Sequence, residues 1–447
     1  MDARIITSLT EHISGHVYTG SNARNTIRTG LWNGFEEVIA PVVVECSDSD
    51  DIQTAVRIAA EYNLPVSVLG GGHDWYRRSV SQSGVTLDLR QMRQVAVSSD
   101  RASLIADGGA VVKNAVDALP QNYALVTGVH TQVGLAGLAL GGGYGKLNSR
   151  FGLVTDNLKS ATIVLADGSL VTVSEDENAE LFWALRGAGK NFGVLCSAEF
   201  IIHKLSPVLT ATIFIAPPDA RNGLCNLQDI LDSADDRLSV FSTFSSLPGK
   251  GPGLILEPMW SGDEATGERY LQQLSSLAGA TIIKKTWSEY RETYDSTSDC
   301  ASWPKGPGYR MDAFNLDQLN VDIAEAIVEC CRTMPSQQSC VMLHDFRGKA
   351  ARVATGHCAF AQRDDHFNMQ IVAGWQTSAQ KVLADQWMSR IQHIMPSLSE
   401  GMSYPAVVGS EGQERARNFY GPSLDKLLRL KKQFDPDNRF RPPYGLF

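Results

Sequence analysis

Glycine is spread unevenly along this chain. Eighteen of its 39 glycines fall between Gly70 and Gly193, and the other 323 of the 447 residues hold 21. A residue without Cβ lets backbone turn sharply and lets another backbone or a ligand approach closely. Whatever this chain folds into, the stretch from 70 to 193 brings main chain close to something.

The rest of the composition excludes several classes. Apolar residues make up 43% and charged residues 20%, so the chain is neither disordered nor fibrous. Forty Lys and Arg stand against 49 Asp and Glu, which argues against a nucleic-acid binder. Its length of 447 residues suggests two or three domains. Met1 to Gly15 carries Asp2, Arg4, Glu11 and His12 and has no apolar core of a signal peptide. The uncharged run from Ala124 to Gly145 is long enough for a membrane helix, but it holds seven glycines and His130, Thr131 and Gln132, so it reads as loop and turn. Eight cysteines are scattered without a CxxC, which fits free thiols in a reduced cytoplasm. The expectation is a cytoplasmic protein, monomer or homodimer, with no nucleic-acid or membrane partner.

The alternation of strand and helix predicts an α/β or α+β first half. Strands are expected over 41–45, 64–69 and 85–89, with a helix from Ser47 or Asp48 to about Tyr62. A hairpin turns at Asp167-Gly168, a helix covers 174–187, and a strand covers 194–203. Near Leu205-Ser206-Pro207 the glycines thin out. Helices are expected at 222–234, 264–277 and 322–334, between strands at 209–215, 254–260, 339–346 and 367–375. A third texture begins near Glu411, with a basic helix over 418–433.

Several nucleotide and hydrolase motifs fail. Gly141-Gly142-Gly143-Tyr144-Gly145 runs into Lys146-Leu147-Asn148 and lacks the last glycine of a dinucleotide fingerprint. Gly187-Ala188-Gly189-Lys190 lacks both the Ser or Thr and the first glycine of a phosphate loop. Neither HExxH nor GxSxG occurs. What survives is a strand, Val66 to Leu69, running into Gly70-Gly71-Gly72-His73-Asp74. Glycines there can turn N–H groups toward an anion such as a pyrophosphate, or can simply make a tight turn.

Four further segments accompany that motif: Thr127 to Gly145, Gly152 to Asn157, Leu185 to Gly193, and Phe434 to Arg441. In this order and spacing the segments resemble the FAD-linked oxidases of the vanillyl-alcohol-oxidase superfamily, in the berberine-bridge-enzyme-like branch. The resemblance implies a two-part FAD-binding domain of PCMH type, with an inserted substrate domain of antiparallel sheet covered by helices. The texture breaks then read as an FAD-binding domain over 1–205, a substrate domain over 206–410, and a return to the FAD-binding domain over 411–447.

The resemblance also implies roles. His73 is bonded to the flavin 8α-methyl. His130 stands where many relatives carry a second-link cysteine, so FAD is expected to be monocovalent. His130 either packs over the flavin or hydrogen-bonds flavin or substrate. Leu69 stands where relatives often carry Arg, leaving the phosphates to the backbone of Gly70, Gly71, Gly72 and Asp74. Val133, Gly134 and Gly137 leave space for dioxygen beside the flavin. Gly141, Gly142, Tyr144 and Gly145 run close to the cofactor, with Asp156, Asn157 and Asn191 as polar contacts, Val194 at the adenine and Tyr444 near the isoalloxazine.

On the substrate side, alternation selects Met342 and His344 on one strand and Asn368 and Gln370 on another. Relatives often place a catalytic Glu or Tyr on these strands or on the strand near 403–408, and the first two offer none here. His344 is the leading base, with Tyr404, Tyr144 and Glu257 behind it. The expected reaction removes a hydride from a C–H next to O or N of a small molecule, with dioxygen reduced to hydrogen peroxide. An oxidative cyclase of secondary metabolism and a flavin-bearing drug-binding protein are the alternatives.

Overall fold

A computed structural model of the protein describes residues 2–34, 38–294, 304–399, 401–409 and 413–441. Three sheets organise it. The first contains β1 (His16–Thr19), β2 (Val42–Glu45), β3 (Val66–Leu69) and β4 (Val85–Asp88), in the order β1-β2-β4-β3. Strands β2, β3 and β4 run parallel, and the Val-rich β2 and β4 are buried almost throughout, as strands covered on both faces must be. The helix Ser49–Glu61 links β2 to β3. Asp48 caps it by accepting from the N–H groups of Asp50 and Asp51.

The second sheet is antiparallel: β5 (Val95–Val97), β6 (Ser103–Asp107), β7 (Tyr123–Leu125), β8 (Leu158–Val164), β9 (Leu170–Ser174) and β10 (Val194–Lys204). Its β8–β9 hairpin turns at Asp167-Gly168. Gly168 takes φ +81°, and Asp167 accepts from the Ser169 N–H. The third sheet holds β11 (Val208–Ile215), β12 (Leu238–Leu247), β13 (Gly251–Trp260), β14 (Ala280–Ser288), β15 (Gly308–Leu316), β16 (Cys340–Phe346) and β17 (His366–Trp375). All its pairings are antiparallel, in the order β14-β11-β13-β12-β16-β17-β15.

One face of the third sheet carries Ile213, Leu256, Leu343, Met369 and Phe314, packed under the helices Pro217–Asp232, Glu264–Ser275, Val321–Arg332 and Ser378–Ile394. The other face is rich in Ser and Thr and looks into the molecule. That polarity explains why β12 and β14, which border the cavity, are not read as strands in the sequence. Strand detection fails where the exposed face of a strand borders a cavity rather than a core.

The expected strand near 403–408 is instead a 3-10 turn, Pro405–Val407, because proline at its start lacks the ladder N–H. The single helix expected over 418–433 is two, Gln413–Tyr420 and Leu424–Phe434, broken at Gly421-Pro422-Ser423. The helix expected from Ser174 begins at Ala179 and kinks at Arg186 and Gly187, where Gly187 takes φ +127°. The seven described cysteines are free, and no described helix is long and apolar enough to cross a membrane.

The C-terminal segment closes back on the first sheet. Phe440 forms a parallel bridge to Val66. Lys431, fully buried, pairs with Asp435 at 2.6 Å and donates to the carbonyls of Asn191 and Phe440. Asp435 also accepts from the N–H groups of Arg439 and Phe440, while the Arg439 guanidinium donates to carbonyls of Ala59, Leu64 and Ala166. Every charge in this knot is compensated, so removing one member strands the rest. Asp435→Ala is expected to destabilise the protein by about 3–5 kcal/mol, the usual loss when one partner of a buried pair is removed. A urea unfolding midpoint checks it, and an unchanged midpoint contradicts it.

Candidate active site

Between the first two sheets and the polar face of the third lies a cavity of about 1150 Å³. That exceeds the range of about 300–1,000 Å³ for ordinary ligand pockets, so a large cofactor and a substrate can share it. One end is walled by backbone from Gly70 to Asp74, Val133, Gly134, Gly137 and Gly141, and from Gly187 to Asn191. Two of these glycines are sterically obligatory. A Cβ at Gly71 would collide with the backbone of Gly134, and one at Gly72, where φ is +69°, would collide with the Gly30 carbonyl.

His73 stands at the end of this wall. Its ring stacks on Trp32 with centroids 5.1 Å apart and lies 4.5 Å from the His130 ring. Trp32 in turn stacks on Tyr309 at 4.6 Å. Asn33 locks that arrangement by donating to the carbonyls of Trp75 and Tyr309 and accepting from the Tyr309 N–H. Neither ring nitrogen of His73 makes a hydrogen bond to a described residue, and Nε2 is sealed from solvent. Burial, then the neighbouring His130, push its pKa down to about 3, so the imidazole is neutral.

The donor set around His73 suits a flavin dinucleotide. Lys190 opens into the cavity, where burial lowers its pKa and the nearby Asp74 opposes that only in part. Asn191 donates to the Ala188 carbonyl but leaves Oδ1 buried without a partner. Asp74 is engaged in the wall itself. Its carboxylate pairs with Arg78 at 2.8 Å and accepts from the Tyr76 and Arg78 N–H groups. Arg78 then donates to the carbonyls of Pro405 and Ala406, fastening the His73 loop to the 405–407 turn.

The third sheet supplies the opposite wall. Phe241, Met342, His344 and Gln370 line it, with Tyr144 and Tyr404 from the sides. His344 makes no hydrogen bond to a described residue, and burial pushes its pKa down to about 3. Its ring packs 4.2 Å from that of Phe241. Gln370 donates to Asn368, Asn368 to Asn315, and Asn315 to Gln362, a buried amide chain that fixes the Gln370 side chain. The Tyr144 hydroxyl lies 3.2 Å from His366 Nε2, and His366 Nδ1 lies 2.8 Å from the Asp364 carbonyl. A carbonyl can only accept, so Nδ1 carries the proton and Tyr144 donates to Nε2. The Tyr404 hydroxyl accepts from the Gly143 N–H, and burial raises its pKa to about 12.

Other expected contacts lie off this cavity, each with different work. Leu69 is fully buried beneath the glycine wall with Ile27, Leu31 and Val43. Gly142 packs against the Phe360 ring and Gly145 against the Thr127 carbonyl. Asp156 forms a buried pair with Arg363 at 2.7 Å and accepts from the Leu153 N–H. Asn157 donates to the Phe151 and Leu153 carbonyls and accepts from His203 Nε2 at 2.7 Å. Val194 belongs to the core of the first sheet, and Asn368 reaches the cavity only through Gln370. Tyr444 lies outside the described residues. Sequence reasoning missed Trp32 and Phe241, and passed over Lys190 once the phosphate-loop pattern had failed. No local pattern marks the first two, because the fold brings them in from distant strands and loops.

A glycine-walled cavity ending at an unpartnered histidine, on an α+β scaffold with an antiparallel sheet as its opposite wall, suits a flavin-type oxidoreductase. Comparison with known proteins agrees. A model of the FAD binding domain matches residues 40–174, and one described as berberine and berberine like matches 396–446. The FAD-linked oxidoreductase pgmH of Aspergillus terreus is 28% identical over 91% of this chain and 88% of its own length. The crystal structure of 6-hydroxy-D-nicotine oxidase from Arthrobacter nicotinovorans superposes with TM-score 0.84 at 25% identity, covering 97% of this chain and 98% of that one. Glucooligosaccharide oxidase from Acremonium strictum, with a 6-S-cysteinyl, 8α-N1-histidyl FAD, gives TM-score 0.87 at 24% identity over 99% and 98%. The chain is an FAD-dependent oxidoreductase that carries an FAD binding domain and a berberine-like C-terminal segment, and it shares the PCMH-type fold of the oxidases it is similar to.

The placement of Asp156 yields a discriminating outcome. Asp156→Ala should destabilise the fold by about 3–5 kcal/mol, since Arg363 is left buried without its partner. The flavin-to-protein ratio of the folded fraction should stay unchanged; a lower ratio would put Asp156 back at the cofactor.

The buried histidines set a second outcome. His203, His344 and His366 have pKa values lowered by burial to about 4, 3 and 4. Below about pH 6.5 the unfolded chain binds protons there that the folded chain does not, so stability falls as pH drops toward about 4. The slope is about 1.4 kcal/mol per pH unit for each histidine. Urea midpoints at pH 7.5, 6 and 5 check it, and replacing His344 by Asn should flatten the slope.

Proposed function

We propose that this enzyme is an oxidase that holds FAD covalently through His73 and removes a hydride from a C–H bond next to O or N of a small molecule, with dioxygen reduced to hydrogen peroxide. On this reading residues 1–205 and 411–447 form the FAD-binding part and 206–410 the substrate part. The single observation that supports it is the His73 imidazole: neutral, without a hydrogen-bond partner among the described residues, and set at the end of a glycine wall. A neutral ring nitrogen is the form that can be alkylated, and a histidyl linkage is what is named for the glucooligosaccharide oxidase.

Gly70 to Asp74, Val133, Gly134, Lys190 and Asn191 are the residues that would hold the dinucleotide, with main-chain N–H groups and one ammonium toward its phosphates. Bound FAD supplies a hydride acceptor and, once reduced, a donor of electrons to dioxygen. The chain's own task is to hold substrate and accept its proton. Tyr144 suits that task better than His344, because its hydroxyl is joined to His366 Nε2, whereas His344 has no such relay among the described residues. Tyr144 donates to His366, so its oxygen can accept a substrate O–H or N–H proton while its own proton passes to His366 Nε2. His344 then serves as a hydrogen-bond acceptor to substrate. Tyr404 holds Gly143 and positions the loop that carries Tyr144.

Two experiments test the reading. Acid precipitation of the holoprotein should leave yellow colour on the polypeptide, and His73→Ala should lose it; colour released wholly to the supernatant sinks the covalent assignment. Tyr144→Phe should keep the bound flavin and lower kcat about 10²–10⁴-fold in a peroxide-coupled assay, the range for loss of a general acid–base group. A variant with unchanged kcat removes Tyr144 from the proton path.

A further inference from the structure

The proton path uses one end of the substrate wall and leaves an unexplained carboxylate at the other. Glu257 lies on β13 directly opposite Phe241 of β12, and Phe241 lies directly opposite His344 of β16. Directly opposed residues share a face of the sheet, and neighbouring strands are about 4.8 Å apart. Glu257 therefore stands about 10 Å from His344 along the same wall, with the Phe241 ring between them.

The Glu257 side chain is exposed to the cavity, with protein on its other sides. It forms no hydrogen bond or ion pair with any described residue. Burial raises its pKa, and the one charge that opposes this is Lys146. Lys146 is engaged elsewhere: its Nζ donates to the Thr293 carbonyl at 2.8 Å and stands 4.5 Å from the Tyr294 ring. A carboxylate that faces the cavity with no partner among the described residues is open to a ligand there. The buried carboxylates Asp74, Asp156 and Asp435 are by contrast each paired within the protein. A metal is a poor candidate, because no group of three or more His, Cys, Asp or Glu that could hold one occurs among the described residues. The neighbours of Glu257 suit an organic cation instead. Phe241 offers a ring face that attracts positive charge, and the hydroxyls of Thr212, Thr243 and Thr286 in the same wall can accept N–H bonds.

We propose that Glu257 is the counter-ion for a protonated amine or amidine on the substrate, with Phe241 carrying the rest of the molecule toward His344 and Tyr144. This deepens the oxidase reading and rests on it for the orientation of substrate. It names a class, small organic cations, and a distance of about 10 Å between the cationic group and the reacting end.

The test is calorimetric titration of the oxidised holoenzyme with benzamidine, benzamide and benzoate, one planar frame carrying positive, zero and negative charge. Flavin difference spectra recorded in parallel report whether each ligand enters the cofactor cavity. Benzamidine is expected to bind at least about tenfold more tightly than benzamide or benzoate. Glu257→Gln should remove that preference, leave benzamide affinity unchanged, and unfold at no lower urea concentration than the wild type, because the carboxylate holds no partner among the described residues. Equal affinity for the three ligands in the wild type overturns the proposal. So does a Gln variant that keeps the preference, or one that is destabilised, which would make Glu257 structural. None of these readings depends on turnover, so failure of the oxidase reading appears separately, as absent peroxide or colour released by acid.

Discussion

The structure depends on one close approach: the backbone at Gly71 and Gly72 lies against the backbone at Gly134 and Gly30. No residue with a Cβ fits at either contact. Because main chain meets main chain there, β3 can end at the cavity and deliver His73 to its edge. The Trp32–Tyr309 stack and the Asn33 hydrogen bonds then hold the N-terminal segment, the His73 loop and β15 in one register. The glycine-dense stretch thus walls the cavity and also joins the N-terminal segment and the His73 loop to the rest of the molecule.

A second theme is how the protein treats charge around that cavity. Most enclosed charges are neutralised in place: Asp74 by Arg78, Asp156 by Arg363, and Lys431 by Asp435. The enclosed histidines stay neutral because burial removes water from the imidazolium. Several groups without a partner among the described residues line the cavity: the His73 and His344 nitrogens, Asn191 Oδ1, Lys190 and Glu257. They run from the glycine wall, past His73, to the far end of the third sheet.

Much of the fold was legible in the sequence. The strand–glycine–His73 motif, the Asp167-Gly168 hairpin, the change of texture near 205 and the amphipathic helices after it all follow from local pattern, because each is a local steric or periodic requirement. The substrate wall was legible in part. Alternation put Met342, His344 and Gln370 on the cavity face. It missed β12 and β14, whose Ser and Thr residues border a cavity rather than a core and so leave no apolar period. The polar residues after Gly152 misled for a related reason. A carboxylate and an amide in a glycine-rich segment look like ligand contacts, yet Asp156 and Asn157 are occupied by Arg363 and His203, which arrive from remote parts of the chain.

By itself the sequence determined that strands and helices would alternate in the first half, that backbone from 70 to 193 would make close approaches, and that His73 would follow a strand and three glycines. These follow from what glycine and hydrophobic period permit locally. Only the tertiary structure decided which polar groups were free to act. His366 reaches Tyr144 across 222 residues, Arg363 takes Asp156 out of the site across 207, and Phe241 separates Glu257 from His344 by strand pairing alone. Partners that arrive from so far along the chain set each group's hydration and protonation, and no local pattern records them.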